Sequence, residues 1–371
     1  MKNKIKLLDK YILESILAAT VVGIIVFVVI WISPEIMFKI IGKIIDGEIS
    51  FQVGLKLFVL EIPSILGKAI PVGLLLGSLF VVDVMSRNFE LVILRSAGVG
   101  FFRLVTPVIT LGLIFAVFCL FAYNVLIPYS AKKLVYTGKG KQYVQFAYLE
   151  RDIQSNPKQL IIVNSYDGTN IQYINIFQIA PDNLLPTDDP SMKNIMFAQR
   201  GEFTGDEFVV HEVKVYELLT SGIYKAIVDK PSVTILKGKS AINAQKLLKA
   251  YDIRVESLTH KEVNDYLNLL KDEQISDEYN YTKNKLYQRY AQAVSCIVFA
   301  LCGVVLGWSR PRENRFVGFT LGALIIFSYY LTIPFIDMLA EKSILPPFIT
   351  AFLPITIISV GTYFYAKLKD I

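Results

Sequence analysis

Six stretches of almost uninterrupted apolar residues constrain this chain more than any other feature. They run over Tyr11–Ile32, Leu57–Val82, Val105–Ile127, Tyr290–Trp308, Phe316–Ile336 and Phe348–Ala366. A hydrocarbon core about 30 Å thick takes about 20 apolar residues of α-helix, because lipid offers no partner for an unpaired backbone group. Each run meets that length, so the chain is read as six transmembrane helices. With 53% hydrophobic and 19% charged residues the composition excludes an ordinary soluble domain. The first run lacks a small-residue cleavage site and is long enough to span, so it is expected to be a retained helix.

The runs fall into two sets of three, and basic residues are concentrated between particular runs. Lys2, Lys4, Lys6 and Lys10 precede the first; Arg87, Arg95 and Arg103 lie between the second and third; Arg310, Arg312 and Arg315 lie between the fourth and fifth; Lys367 and Lys369 follow the sixth. Under the positive-inside rule these ends, with both termini, face the cytoplasm. The remaining connections, including everything from about Pro128 to Gln288, then face the other side.

That long insert changes pattern. Apolar and polar residues alternate in "KQYVQFAYLE", "QLIIVNSY", "NIQYINIFQI", "EFVVHEVKVYEL" and "YKAIVDKPSVTIL", with "YDGTN", "APDN" and "RGEFTGDE" as punctuation. Period-two runs broken by turn residues predict a small β-domain, of jelly-roll type, over 131–255. Its interior is either a filled core or a lining for something apolar, and periodicity does not separate the two. "LTHKEVNDYLNLLKDE" then opens on Thr259 with Glu262 three residues later, a capping box, and predicts an amphipathic helix. A charged linker, "QISDEYNYTKNK", completes 256–288, leaving 1–130 and 289–371 as the two helical halves.

Several chemistries lack their residues. The two histidines, His211 and His260, have no ligand cluster around them, so neither metal nor cofactor is expected. There is no GxxxxGK[ST] phosphate loop, no GxSxG elbow and no GxGxxG, so the chain is not expected to be an enzyme or to hydrolyse ATP. "TGKGKQ" has the wrong spacing and reads as a hinge. Cys119, Cys296 and Cys302 all lie within apolar runs and read as core residues.

Charges within or beside the runs are the candidate ligand contacts, because a charge at depth is costly unless paired or facing a polar cavity. Glu61 and Lys68 are two helical turns apart and share a face of the second run. Lys39 and Lys43, four apart beyond the first run, form a basic ridge on which an anionic headgroup could rest; a solvated helix end and side-chain snorkelling are the plainer readings. Pro63 and Pro71 predict kinks. The pairs Gly73/Gly77, Gly303/Gly307 and Gly318/Gly322 predict close helix approaches.

Between the second and third runs stands "SRNFELVILRSAG", 86–98, too polar to enter lipid. A helical wheel puts Phe89, Val92, Ile93 and Ser96 on one face, expected to point to the body of the protein. Arg87, Glu90, Leu91, Leu94 and Gly98 fall on the other, expected to meet a second protein; a short helix lying on headgroups is the alternative.

These residues resemble the LptF/LptG (YjgP/YjgQ) permease family of the lipopolysaccharide export ABC transporter. The likeness is carried by "LLDKYILESIL", "IIDGEIS", "EIPSILGKAIPVGLLLGSLF", "RNFELVILRSAG", "LTHKEVNDYL" and "LYQRYAQAVSCIVFALCGVVLGWSRPRENRFVGF", in that order along the chain. The resemblance implies a multi-pass subunit of the bacterial inner membrane with a periplasmic β-jelly-roll. It implies as partners a paralogous permease subunit, a cytoplasmic ATPase dimer and a periplasmic jelly-roll bridge protein, with lipopolysaccharide as cargo. It implies that 86–98 is the ATPase-docking helix with Glu90 facing a basic residue, and that Lys39 lies at the rim of the lipid path. "IIDGEIS" is closer to one permease type and "RNFELVILRSAG" to the other. Two further readings stand beside it: a membrane-anchored periplasmic scaffold, and a proton-coupled secondary transporter using Glu61.

Overall fold

The computed structural model describes residues 7–31, 34–137, 146–151, 157–166, 171–179, 192–218, 224–251, 255–308 and 316–369. Arg310, Arg312, Arg315, Lys2, Lys4, Lys6 and most of "TGKGKQ" lie outside them. The chain divides into two compact units, 1–137 with 255–371, and 138–254.

The first unit is helical. Its elements are α1 (Leu7–Trp31), α2 (Pro34–Ile45), α3 (Phe51–Arg87), α4 (Glu90–Ser96), α5 (Phe101–Phe121), α6 (Ile127–Thr137), and, after the insert, α8 (His260–Asp272), α9 (Ser276–Gly307), α10 (Phe316–Glu341) and α11 (Pro347–Leu368). A π-helical turn, Ala122–Leu126, joins α5 to α6. Among the described residues six helices are long and apolar enough to cross a membrane, as the six runs require. The protein is a multi-pass helical membrane protein with an inserted β-domain.

α3 and α9 form the centre. At 1.5 Å per residue, their 37 and 32 residues extend about 55 and 48 Å, longer than a bilayer core. Both are largely buried, whereas α1, α10 and α11 expose most of their apolar surface. One core gathers Ile16, Leu74, Val108, Cys119, Cys296 and Ala300 from α1, α3, α5 and α9; a second gathers Phe27, Leu75, Phe299, Tyr329 and Ile355 from α1, α3, α9, α10 and α11.

The helices meet where the sequence has its small residues. A Cβ at Gly303 would collide with the Ser78 hydroxyl and the Leu75 carbonyl, and one at Gly77 with the backbone of Thr20. Gly307 lies as tightly against Leu79, and Gly318 against the Leu306 carbonyl. Without a hydrophobic driving force between helices in lipid, such backbone proximity and the dispersion it permits hold spans together. Pro71 removes the donor that would serve the Gly67 carbonyl, and the Cys119 thiol donates to that carbonyl instead at 3.8 Å.

The segment expected as a charged linker, "QISDEYNYTKNK", is largely the first turns of α9. Its polar residues recur at helical spacing and find partners on α10 and α11, as described below. α8 begins as expected: Thr259 Oγ1 accepts from the Glu262 amide, Glu262 Oε2 accepts from the Thr259 amide at 2.9 Å, and Lys132 Nζ donates to Glu262 at 2.5 Å.

The second unit is a six-stranded antiparallel sheet in sequential order, β1 (Phe146–Arg151), β2 (Pro157–Tyr166), β3 (Ile171–Ile179), β4 (Met192–Thr204), β5 (Glu207–Leu218) and β6 (Tyr224–Lys237). That order is a meander, whereas a jelly roll interleaves two Greek keys. Ile161, Ile176, Met196 and Val215 come into line through the pairings Ile161↔Ile176, Ile176↔Met196 and Met196↔Val215, and all four are buried. The sheet curls: Gln159 Nε2 on β2 donates to Ile235 O on β6 at 3.0 Å and to Glu150 Oε2 on β1 at 2.5 Å. α7 (Lys239–Tyr251) packs on β1, β5 and β6 with Ala241, Ala244, Leu247 and Leu248 buried. β4 had no place among the expected strands, because "RGEF" reads as a turn. Gly201 is there for space: a Cβ would strike Ile174 and the Phe208 ring.

Candidate functional site

Seven residues make an unstable helix on their own, since the first turn costs more than its hydrogen bonds return. α4 therefore exists through what surrounds it. Phe89 precedes it at φ +62°, a left-handed turn that breaks the line of α3 and redirects the chain. At its other end Gly98, at φ +83°, donates to Arg95 O at 2.9 Å while the Val99 amide donates to Leu94 O at 3.0 Å, a Schellman stop. Leu91 is 5% exposed within the first core and Leu94 packs against it. Burying a leucine contributes about 1.5–3 kcal/mol.

The two faces of α4 are thus reversed from the wheel's expectation. Leu91 and Leu94 hold the helix to the body, and Phe89, Val92 and Ile93 are 55%, 50% and 63% exposed. A wheel sorts residues into faces without saying which face is covered, and here both faces carry two or more large apolar residues. The left-handed turn at Phe89 decides the matter.

The charged residues have partners at home. Arg87 ends α3 and pairs with Asp83 one turn before it. Glu90 Oε2 accepts from the Tyr11 hydroxyl of α1 at 3.2 Å, and Glu90 Oε1 accepts from Asn88 at 3.4 Å. The Arg95 guanidinium lies 5.2 Å from the centre of the Trp308 ring.

The candidate lipid contacts are divided between two helices, α2 and α3. Lys39 and Lys43 lie on α2, a helix separate from α1, and the Lys39 side chain falls outside the described residues. Lys43 is half-buried, and its carbonyl stops the helix by accepting from the amides of Glu48 at 3.0 Å and Ile49 at 3.2 Å. Lys68 Nζ sits 5.8 Å above the Trp31 ring, and its carbonyl accepts from Tyr330 at 2.7 Å. Glu61 is half-buried, and among the described residues no cation pairs with it.

A polar ladder along α9 has no counterpart in the sequence reading. Asp337 on α10 accepts from Lys285 at 2.7 Å, Asn284 at 2.9 Å and Gln288 at 2.7 Å. Thr350 on α11 donates to Asn284 Oδ1 at 2.9 Å, Asn280 donates to Ser343 at 2.7 Å, and Tyr329 donates to Gln292 at 2.9 Å. Residues 280, 284, 288 and 292 are successive steps of one helical ridge. This network ties α9, α10 and α11 together through one carboxylate, its three donors and the Thr350 hydroxyl.

Residues 10–367 match the family described as "Lipopolysaccharide export system permease LptF/LptG". The chain belongs to this family. Among curated proteins none matches it. Family membership makes the chain a permease, which agrees with the lack of a phosphate loop, and no group of metal-ligating side chains occurs among the described residues of the permease. The ladder could have been found from sequence by extending the rule applied to Glu61 and Lys68 to the ends of the runs, because Asp337 is the acid that directly follows Phe316–Ile336. The exposed face of α4 in this permease could not, because nothing in "FELVIL" ranks one pair of apolar residues above the other.

Proposed function

We propose that this permease is one half of a paired membrane unit that extracts lipopolysaccharide, an anionic glycolipid, from the outer leaflet of the bacterial inner membrane. The energy comes from a cytoplasmic ATPase dimer seated on α4, and the β-domain passes the glycolipid to a periplasmic bridge protein. Both termini of the permease face the cytoplasm. The observation that carries the reading is α4 itself: a charged helix between two membrane spans, secured by Leu91 and Leu94, with Phe89, Val92 and Ile93 uncovered. An uncovered apolar face rimmed by charge suits a protein partner.

Within this reading Phe89, Val92 and Ile93 enter a groove of the ATPase and Glu90, with Arg87, lies at its rim. Leu91, Leu94 and Gly98 position the helix from behind. Lys39 and Lys43 on α2, and Lys68 beside Trp31, are offered to glycolipid phosphates, with Glu61 bordering the same path. Exposed apolar flanks on α1 and α10 suit lipid and the paralogous subunit.

The test is isolation of the complex. Ile93→Asp and Glu90→Lys should each strip the ATPase from a purified permease pair while the pair itself survives. Retention of the ATPase in both would overturn docking through α4 and favour the scaffold reading. In proteoliposomes, abolishing the proton gradient at constant ATP should leave glycolipid transfer intact; a loss would favour proton coupling.

A further inference from the structure

The end of α9 gathers contacts from three other helices onto one residue. Trp308 follows the last residue of α9, and its amide still bonds back to Val304 at 3.0 Å. The Arg95 cation of α4 lies 5.2 Å from the Trp308 ring centre, and Phe101, the first residue of α5, meets the ring edge-on at 5.3 Å. Lys369, following the last turn of α11, donates to the Trp308 carbonyl at 2.5 Å, and its ammonium also lies 4.9 Å from the Tyr365 ring.

We propose that Trp308 is the positioning residue through which a partner docked on α4 acts on spans four and six. The inference rests on the docking reading above. α4 is held to the core through Leu91 and Leu94, side-chain contacts that can redistribute when a partner docks. Arg95 carries that shift outward: it is exposed, it leaves α4 on the side of α9, and its contact with the indole is electrostatic and persists through small displacements. A shift of α4 is therefore passed to the indole, then through its peptide carbonyl to Lys369 and α11, and directly along α9, which carries the ladder to α10. Two helices outside the docking site are biased by one side chain, which is the physical requirement for coupling between separated sites.

The experiment uses the whole transporter in proteoliposomes and reads glycolipid delivered per ATP hydrolysed, with ATPase co-purification and thermal stability measured alongside. Arg95→Gln should lower delivery per ATP about two- to fivefold, the factor that a cation–π contact of ordinary strength contributes to an equilibrium. Co-purification and stability should be unchanged. Arg95→Lys, which keeps a cation over the ring, should restore most of it. Trp308→Leu should produce a similar loss, and the double variant should be no worse than the poorer single. Unchanged delivery per ATP in Arg95→Gln would overturn the proposal, as would additive losses in the double variant or equal losses in Gln and Lys. Loss of the ATPase in Arg95→Gln would overturn it too, since Arg95 would then belong to the docking contact itself. If the unaltered permease carries no ATPase, the docking reading fails, and that result is separate from every outcome above.

Discussion

The crossing of α3 with α9 and the short helix α4 are neighbours built on opposite principles. At the crossing, Gly303 and Gly307 bring one backbone against another, so there is no side chain to adjust and one relative position is allowed. α4 has no backbone contact of that kind; two leucines, a hydrogen bond to Tyr11 and a cation over an indole hold it. Interiors packed backbone to backbone transmit displacement without absorbing it, whereas a set of individually modest contacts can be redistributed. A machine that turns docking into movement needs both: a stiff centre, and a periphery whose contacts can change by a kcal/mol or so.

The largest expected effect is therefore at the centre. Gly303→Leu must displace Ser78 and the Leu75 carbonyl, and overpacking against backbone costs about 3 kcal/mol or more. The expected outcome is loss of folded permease from the membrane. Gly361→Leu, at a glycine with nothing within 4 Å of the added carbon, should leave thermal stability unchanged. Equal behaviour of the two would dissolve the contrast.

Next comes the ladder that extends the stiff centre to α10 and α11. Asp337→Ala leaves the Lys285 ammonium, whose side chain is 8% exposed, without its carboxylate. Breaking a buried pair on one side costs about 3–5 kcal/mol. Combining it with Lys285→Met should recover much of that loss in a thermal melt. No recovery would mean that the hydrogen bonds from Asn284 and Gln288, and not the ion pair, carry the stability.

At α4 the two faces separate stability from docking. Leu91→Ala should destabilise by about 2–3 kcal/mol through the cavity it leaves. Ile93→Ala, at a residue 63% exposed, should stay within about 0.5 kcal/mol on stability while weakening retention of the ATPase. If the two variants exchange these behaviours, the wheel's original orientation is right.

Which parts of this were legible in sequence follows from how local their causes are. The six spans were legible because crossing lipid demands a run of apolar residues whatever their neighbours. The Thr259 capping box was legible because its two partners are three residues apart. The glycine pairs announced crossings but not which helices cross, since Gly303 meets Ser78 only in the folded chain. β4 was hidden because Gly201, a turn residue by propensity, is there to admit the Phe208 ring. The start of α9 was hidden because polar residues that look solvated alone are satisfied by Asp337 and Thr350 far along the chain. For α4, composition located the site and its charge, and only the turn at Phe89 determined which leucines face inward.

The smallest effect lies at the far end of the stiff unit, where the start of α8 is tied to α6. Burial raises the Glu262 pKa, but hydrogen bonds from Lys132 and from the Thr259 amide and hydroxyl outweigh that and hold it below its ordinary value. A carboxyl lowered in the folded state stabilises fully above its unfolded value of about 4.3, and loses that contribution as pH falls through the folded one. The protection of α8 amides, relative to intrinsic exchange at the same pH, should therefore fall in acid below about pH 4.3, by the fraction of a kcal/mol appropriate to a partly exposed pair. Glu262→Gln keeps the reciprocal cap but carries no charge, so protection should be slightly lower near neutral pH and should lose its acid dependence. An acid dependence that persists in Glu262→Gln would assign it to another carboxyl. α8 would then be held by its buried Val263, Leu267 and Leu270 alone, in the manner of the centre and not of α4.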